Sequence, residues 1–386
     1  VGVSEGSSYN ARTTMNRLVR SLWLSLLLLG SGFAHAQSDD VAVDPWTPPP
    51  DQTGFSMFPS TRTPGPWGFD GMLWAGYAHN PLEARGASLV ESRFDTALSV
   101  QLGLGGRTAV ALRLPAVLHQ RGDEASAPFA RTLATPALGD PALDARIRVL
   151  GAPSRPDGSV EDGAALALRG VVTLPVGTSG SYFADKSVRT ELSLITDVEA
   201  FGLGAGASLG YRHRFGDPEL AGVSVAEQLR LAGGLKIPFP LIAMAAPGKV
   251  QESALVEIDV GSDPTDFFAK ATTPIEGRLS YRITVGDLTF SLGVGASFTQ
   301  AYGVPDVRAL FGASYSPRVH DQDADGVPDG ADQCEHLAED PDKFEDADGC
   351  PEPDNDQDMI LDDDDRCPLD PAEIGRDDDE DGCTDK

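Results

Sequence analysis

Between Trp67 and Ser316 apolar residues alternate with small or polar ones, and that period of two commits the chain to strands. Leu288, Phe290, Leu292, Val294, Ala296 and Phe298 make one face of a segment whose other face is Thr289, Ser291, Gly293, Gly295 and Ser297. Leu143, Ala145, Ile147 and Val149 oppose Asp144, Arg146 and Arg148 in the same way. About 12 such segments can be read, near 68–79, 89–104, 107–118, 142–150, 164–175, 190–201, 203–214, 226–237, 251–260, 276–285, 287–299 and 307–316. Most reach the roughly 9 to 11 residues that a tilted strand needs to cross a bilayer. No convincing amphipathic helix interrupts them.

Two all-β architectures can use such strands. A soluble sandwich or repeated sheet would turn its charged face to water, whereas a closed antiparallel transmembrane β-barrel would turn it to a lumen. Arg113, Asp144, Arg146, Arg148, Arg169, Arg230, Lys236, Glu257, Asp259, Arg278 and Arg282 all lie opposite the apolar residues, as a lumen requires. Very short turns are expected at Gly105, Gly202 and Gly286 and longer connections after the odd-numbered strands, although 151–163 and 238–250 exceed a tight turn. Trp67, Trp74, Tyr211, Tyr281, Tyr302 and Tyr315 fall near strand ends, where either aromatic girdles or ordinary packing would place them. Export favours the barrel too. Arg17 and Arg20 precede the apolar run 22–29, and Ala34, His35 and Ala36 form a small-residue cleavage site. Residues 15–36 therefore read as a signal peptide starting at Met15, with 1–14 an upstream artefact and the mature chain beginning at Gln37. Residues 37–66, which include Pro48, Pro49 and Pro50, read as a linker, 67–317 as the barrel and 318–386 as a separate tail.

The formal charge of −29 sits mostly in that tail: from Arg318 onward there are 28 acidic and 5 basic residues, a net of −23, which leaves −6 for the rest. Nucleic acid is excluded as a partner, because phosphate binding needs clustered Lys and Arg. The acidity is also ordered. Asp321, Asp323, Asp325, Asp329, Asp332, Cys334, Asp346, Asp348 and Cys350 recur 33 residues later as Asp354, Asp356, Asp358, Asp362, Asp365, Cys367, Asp379, Asp381 and Cys383. Calcium takes six to eight oxygens, and side chains at alternate positions with a backbone carbonyl between them supply such a set. Val327 and Ile360 stand where the carbonyl would come from; Gly326 gives the first loop a freedom that Met359 denies the second. Five carboxylates about 5 Å apart make about ten repelling pairs of roughly 0.8 kcal/mol each even in water, so about 8 kcal/mol opposes a compact site without a cation. The plain alternative is a solvated, disordered acidic tail.

DQDADGVPDGADQC at 321–334 and DNDQDMILDDDDRC at 354–367, closed by EDADGC and DEDGC, resemble thrombospondin type 3 repeats. The resemblance covers about 65 residues, 321–385, and implies calcium held by the aspartates and disulfides formed by the cysteines. Four exported cysteines allow three connectivities; the repeat favours Cys334 with Cys350 and Cys367 with Cys383. Zinc finds no C-x-x-C pair and no paired histidines. Signal peptide, alternating strands and repeat together resemble bacterial outer-membrane proteins of the OmpA type that carry such repeats as linkers. Those linkers lead to a peptidoglycan-binding domain that does not follow here, so peptidoglycan is not carried over as a partner and the chain is expected to be a form without that domain.

The function expected from these features is a calcium-binding outer-membrane barrel, structural or pore-forming, whose partners are membrane lipid and calcium. An even strand number returns the chain to the periplasm, which makes the tail a periplasmic spacer. The alternative is a secreted or surface calcium-dependent adhesin that engages an envelope or cell-surface protein. Neither G-x-S-x-G, H-E-x-x-H nor a P-loop is present, so no enzyme is expected. His79, His119 and His213 are expected at rims or surface. The glycines of 202–210 suit a small-residue barrel face, because no helix follows them as a nucleotide fingerprint would require.

Overall fold

Alternate side chains of a strand point to opposite sides of its sheet, so a sheet that is apolar on one face must cover that face or put it into lipid. A computed structural model describes residues 41–384 except 44–45, 85–86, 123–132, 155–162, 186, 201, 217, 221–222, 242–249, 318–322, 324, 326, 328, 330–331, 341, 343, 347, 363 and 373–380. The upstream stretch 1–14, the signal peptide 15–36, Asp321 and Asp379 lie outside the described residues.

Twelve long strands carry the fold: β1 (Phe69–Ala84), β2 (Ala87–Gly103), β3 (Thr108–Arg121), β4 (Ala142–Leu150), β5 (Gly163–Thr173) and β6 (Arg189–Ala200). They continue as β7 (Leu203–Arg214), β8 (Glu227–Pro238), β9 (Gln251–Ser262), β10 (Ile275–Val285), β11 (Leu288–Ser297) and β12 (Val307–Tyr315). Each pairs antiparallel with its neighbours in sequence, and β12 returns to pair with β1 from Gly71 opposite Tyr315 to His79 opposite Val307. The sheet is thus closed. A two-residue piece at Ala137–Leu138 adds to β3, and Glu219–Leu220 pairs with Val223–Ser224 in the β7–β8 loop.

Closure puts the apolar face outside. On β11, Leu292 is 63% and Val294 59% exposed, whereas the adjacent Ser291, on the inner face, is 3% exposed. Arg113, Asp144, Arg146, Arg148, Arg169, Arg230, Glu257, Arg278 and Arg282 are buried on the inner face, as the alternation requires. A sandwich or soluble sheet would have reversed this. The apolar belt is a lipid-facing surface, and the fold is a transmembrane barrel.

One rim carries short turns. Gly105 and Gly106 bend the chain from β2 to β3 and Gly286 bends it from β10 to β11, all at positive φ, where a side chain would strain the backbone. The opposite rim carries the longer β3–β4, β5–β6, β7–β8, β9–β10 and β11–β12 connections. The expected long loop after the first strand is replaced by more strand, since β1 runs to Ala84 and β2 starts at Ala87. Its inward Leu82 and Val90 pack with Val43, Leu89, Leu133, Tyr182 and Leu220 in an apolar cluster at the long-loop rim, which rewards the extension.

The aromatic girdle is only partly as expected. Trp67 is 77% exposed, Phe69 meets Tyr315 edge-on at 6.2 Å and Phe239 meets Tyr281 at 6.5 Å, all near the short-turn rim. Tyr211 is exposed on the outer face at the other end of the barrel. Trp74 instead points inward, where it meets Trp46, and Tyr302 packs against the long-loop cluster.

The largest departure concerns the expected linker. Residues 46–64 are folded inside the barrel. They enter from the long-loop rim, where Val43 N–H donates to Tyr182 O, and leave at the short-turn rim, where Trp67 N–H donates to Gly103 O and β1 begins.

Candidate functional site

The lumen is built from side chains that alternation sends inward and from the segment they enclose. Arginine dominates the wall, and each guanidinium carries five donors and no acceptor, so the site needs oxygens. Wall carboxylates supply some. Arg169 pairs with Asp144 at 2.6 Å and with Glu191 at 3.4 Å, Arg212 pairs with Glu191 at 2.8 Å, and Arg230 pairs with Asp259 at 2.9 Å. Glu276 holds both Arg278, at 2.7 Å, and Arg308, at 3.1 Å. Lys236 and the plug's Arg62 converge on Glu199.

The plug supplies the rest, chiefly through main-chain carbonyls. Arg113 donates to Pro48 O at 2.9 Å, Arg282 to Gly54 O at 2.7 Å, Arg278 to Ser56 O at 3.1 Å and Arg146 to Ser60 O at 2.8 Å. Arg146 also pairs with Asp51 at 2.9 Å. In return two wall carboxylates collect plug donors: Glu257 accepts from Ser56 N and Oγ and Met57 N at 2.6–2.9 Å, and Asp197 from Thr61 N and Oγ1 at 2.6 and 2.8 Å. Pro48, Pro49 and Pro50 suit this setting, because a proline keeps its carbonyl and brings no N–H that would compete among so many donors. Trp74 Nε1 likewise donates to Pro49 O at 3.1 Å.

Apolar contacts anchor the plug as well. Phe55 and Phe58 stack at 4.6 Å within a cluster that includes Met57, Ala167, Ile195, Ala232 and Leu255. Gly206 on β7 and Gly234 on β8 leave the room: a β-carbon on either would come within 2.5 Å of the Phe55 ring. Gly206 is one of the 202–210 glycines that the sequence shows as a small-residue face. Beside the plug the cavities shrink to about 10 Å³, room for about one water, whereas a cavity of about 510 Å³ opens at the short-turn end. Arg62, Gln101, Lys236, Arg282, Asp287 and Ser314 are among its lining.

The tail repeats in structure what it repeats in sequence. Disulfides join Cys334 to Cys350 and Cys367 to Cys383. Asp332 Oδ1 accepts from Cys334 N and Asp365 Oδ1 from Cys367 N, both at 2.6 Å; Asp325 Oδ2 accepts from Glu339 N and Asp358 Oδ2 from Ala372 N, both at 3.1 Å. Gly349 and Gly382 hold φ of 77° and 80°, and a β-carbon on either would collide with the Asp332 or Asp365 carboxylate.

Carboxylate oxygens of Asp323, Asp325 and Asp332 lie within 4.8 Å of one another, as do those of Asp354, Asp356 and Asp358. Asp348 joins Glu345 and Glu352 in a third group, and Glu339, Asp340 and Glu352 form a fourth. Asp329, Asp346, Asp362, Asp365 and Asp381 stand outside these groups. Val327 and Ile360 contribute N–H groups, to Asp325 at 2.7 Å and Asp358 at 2.9 Å. Eight tail carboxylate oxygens, on Asp323, Asp332, Glu339, Glu352, Asp354, Asp356, Asp362 and Asp365, are buried with no hydrogen-bond donor. Hard acceptors crowded without donors are a donor set for a hard cation such as Ca²⁺. Burial first, and then neighbouring carboxylates, push the Glu339, Glu352 and Asp356 carboxyls above their ordinary range.

Sequence reasoning missed Glu339, Asp340, Glu345 and Glu352, which lie outside the repeated aspartate positions, and every plug residue. The surplus of inward arginines and the two phenylalanines inside a proline-rich stretch were the signals for the plug.

No known protein family and no curated protein matches the sequence. Among solved structures the chain is similar to an outer membrane channel from Pseudomonas putida F1, with 10% identity, 66% of this chain and 97% of that one covered, and a TM-score of 0.46. It is similar to the NanC porin, with 10% identity, 64% and 99% covered and a TM-score of 0.39. It is also similar to the β domain of the Bordetella autotransporter BrkA, with 11% identity, 65% and 99% covered and a TM-score of 0.36. The fold itself is a closed antiparallel β-barrel. A closed sheet of twelve strands with a lipid-facing outside and a charged inside is pore- or channel-like in form, whatever the lumen holds.

Proposed function

We propose that this chain is a channel-type outer-membrane barrel, not an enzyme, whose acidic tail is a calcium-dependent spacer on the periplasmic side. The observation that carries the channel reading is the distribution of side chains across the closed sheet: leucine, valine and phenylalanine outside, arginine and carboxylate inside. A purely mechanical anchor has no use for so many ionised groups on its inner wall, each costly to desolvate.

The tail follows β12, whose end lies at the short-turn rim, and short turns mark the periplasmic side of such barrels. Calcium would be held by Asp323, Asp325 and Asp332 in one copy and by Asp354, Asp356 and Asp358 in the other. The ion would neutralise carboxylates whose mutual repulsion opposes a compact tail. The disulfides brace each copy, and the thrombospondin type 3 resemblance supports the same role.

The test is fractionation and migration. Unheated protein from the outer-membrane fraction should migrate differently from heated protein on a denaturing gel; a soluble, lipid-free protein would sink the reading.

A further inference from the structure

We propose that the segment 46–64 is a removable plug and that the pathway it vacates takes anionic solutes; this rests on the channel reading above. The plug leaves its imprint in the wall. It provides carbonyl oxygens to Arg113, Arg146, Arg278 and Arg282, and a carboxylate to Arg146. Arg113, Arg146 and Arg282 make no ion pair with a wall carboxylate among the described residues; the plug supplies most of their close oxygens, beside Gln101 for Arg146 and Ser291 for Arg282.

Arg148 adds to the same set. Its side chain is buried, 4% exposed, on the strand that carries Arg146, and its Nε and Nη1 have no hydrogen-bond partner. The plug's own charges, Asp51 and Arg62, cancel. Its withdrawal therefore changes the wall's exposure and not the wall's sign. It uncovers Arg113, Arg146 and Arg282 with no carboxylate at ion-pair distance among the described residues, while Glu257 and Asp197 lose hydrogen-bond donors, and Glu199 loses Arg62 but keeps Lys236.

An occupant that takes the plug's place must bring acceptors along an extended path. That is the chemistry of an elongated anion bearing carboxylate, sulfate or phosphate oxygens, for which arginine supplies paired donors. A cation would meet Arg113, Arg146, Arg148 and Arg282 against the uncovered Glu257 and Asp197, a surplus of positive charge that repels it.

Single barrels in planar bilayers under a KCl gradient test this. The full chain should conduct weakly, and the barrel lacking residues 41–64 should open to a larger unit conductance with a chloride-to-potassium permeability ratio of about 3 or more. Arg113→Gln, Arg146→Gln and Arg282→Gln together should bring that ratio in the shortened barrel to about 1. The full chain carrying Phe55→Ala and Phe58→Ala, whose wall is unaltered, should give openings of the same selectivity and supplies the reading if the shortened chain does not fold. Folded barrels of either kind that do not conduct would overturn the channel reading. Barrels that conduct but prefer potassium, or that ignore the arginine substitutions, would overturn the anion pathway and leave the channel standing.

Discussion

Two adjacent glycines on β8 should behave oppositely when each gains a single methyl group. Gly234 faces the lumen, and a β-carbon there would sit 2.5 Å from the Phe55 ring; Gly233 faces outward, and its β-carbon would meet nothing closer than 3.9 Å. Carbon atoms pack at about 3.5–4.0 Å, so Gly234→Ala forces the ring to move by about 1 Å or the plug to leave. Overpacking of this kind costs about 1–3 kcal/mol. Because each 1.4 kcal/mol is about tenfold, the displaced plug should become about 5- to 150-fold more populated. Phe55→Ala removes the anchor itself at about 3–5 kcal/mol and should act more strongly. Limited proteolysis of the detergent-folded barrel, with cleavage within 41–64 quantified by mass spectrometry, reads the displaced population directly. Cleavage should rise for Gly234→Ala and Phe55→Ala and stay at the parent rate for Gly233→Ala. Equal rates for the two glycine variants would refute the seat assigned to Phe55.

Calcium should order the tail copy by copy. Asp325→Asn and Asp358→Asn should each weaken calorimetric calcium binding in their own half, and a titration unchanged by both would reject the clusters as ligands. Loss of the Cys367–Cys383 bridge should cost about 3 kcal/mol of that half's stability, read by hydrogen exchange with and without calcium. At the long-loop rim, burial pushes the Asp140 carboxyl up to about 6. A raised native value means that the folded loops bind this proton more tightly, so the stabilisation is present below about pH 4 and lost as pH rises through about 6. Protection of the 137–140 and 177–185 backbone should therefore fall between pH 4.5 and 7, and Asp140→Asn should flatten the change. Finally, because the plug runs from one rim to the other, a tag ahead of residue 41 should be reached by impermeant reagents on intact cells, whereas a tag after 384 should not; the reverse would invert the barrel.

The barrel was legible because its signal is local and redundant. Leu292 and Val294 flank Gly293 in sequence, and nothing beyond strand geometry is needed to put them on one face. The tail's disulfide pairing was legible because duplication reports register, as Cys334 with Cys350 and Cys367 with Cys383 shows. The plug was not, for a physical reason. Pro48, Pro49 and Pro50 cannot join a sheet, so composition alone reads as a linker; only the closed wall reveals that arginines such as Arg113 and Arg282 take main-chain carbonyls of this segment. Trp74 was misplaced by the same omission, since its inward position is held by Trp46 and the Pro49 carbonyl of that segment. Glu339 and Glu352 escaped because the oxygens they share with Asp340 and Asp348 meet through loop folding and not through alternate-residue spacing.

The central claim, a closed barrel with lipid outside and charge inside, is tested most directly by cysteine scanning along β11 in reconstituted vesicles. Single cysteines from 288 to 297 are labelled with a fluorophore and quenched either from lipid or from water. Positions 290, 292 and 294 should be quenched from lipid, and 291, 293 and 295 should be shielded from it, with a period of two along the strand. Uniform quenching from water, or lipid contact at 291 and 293, would contradict the account.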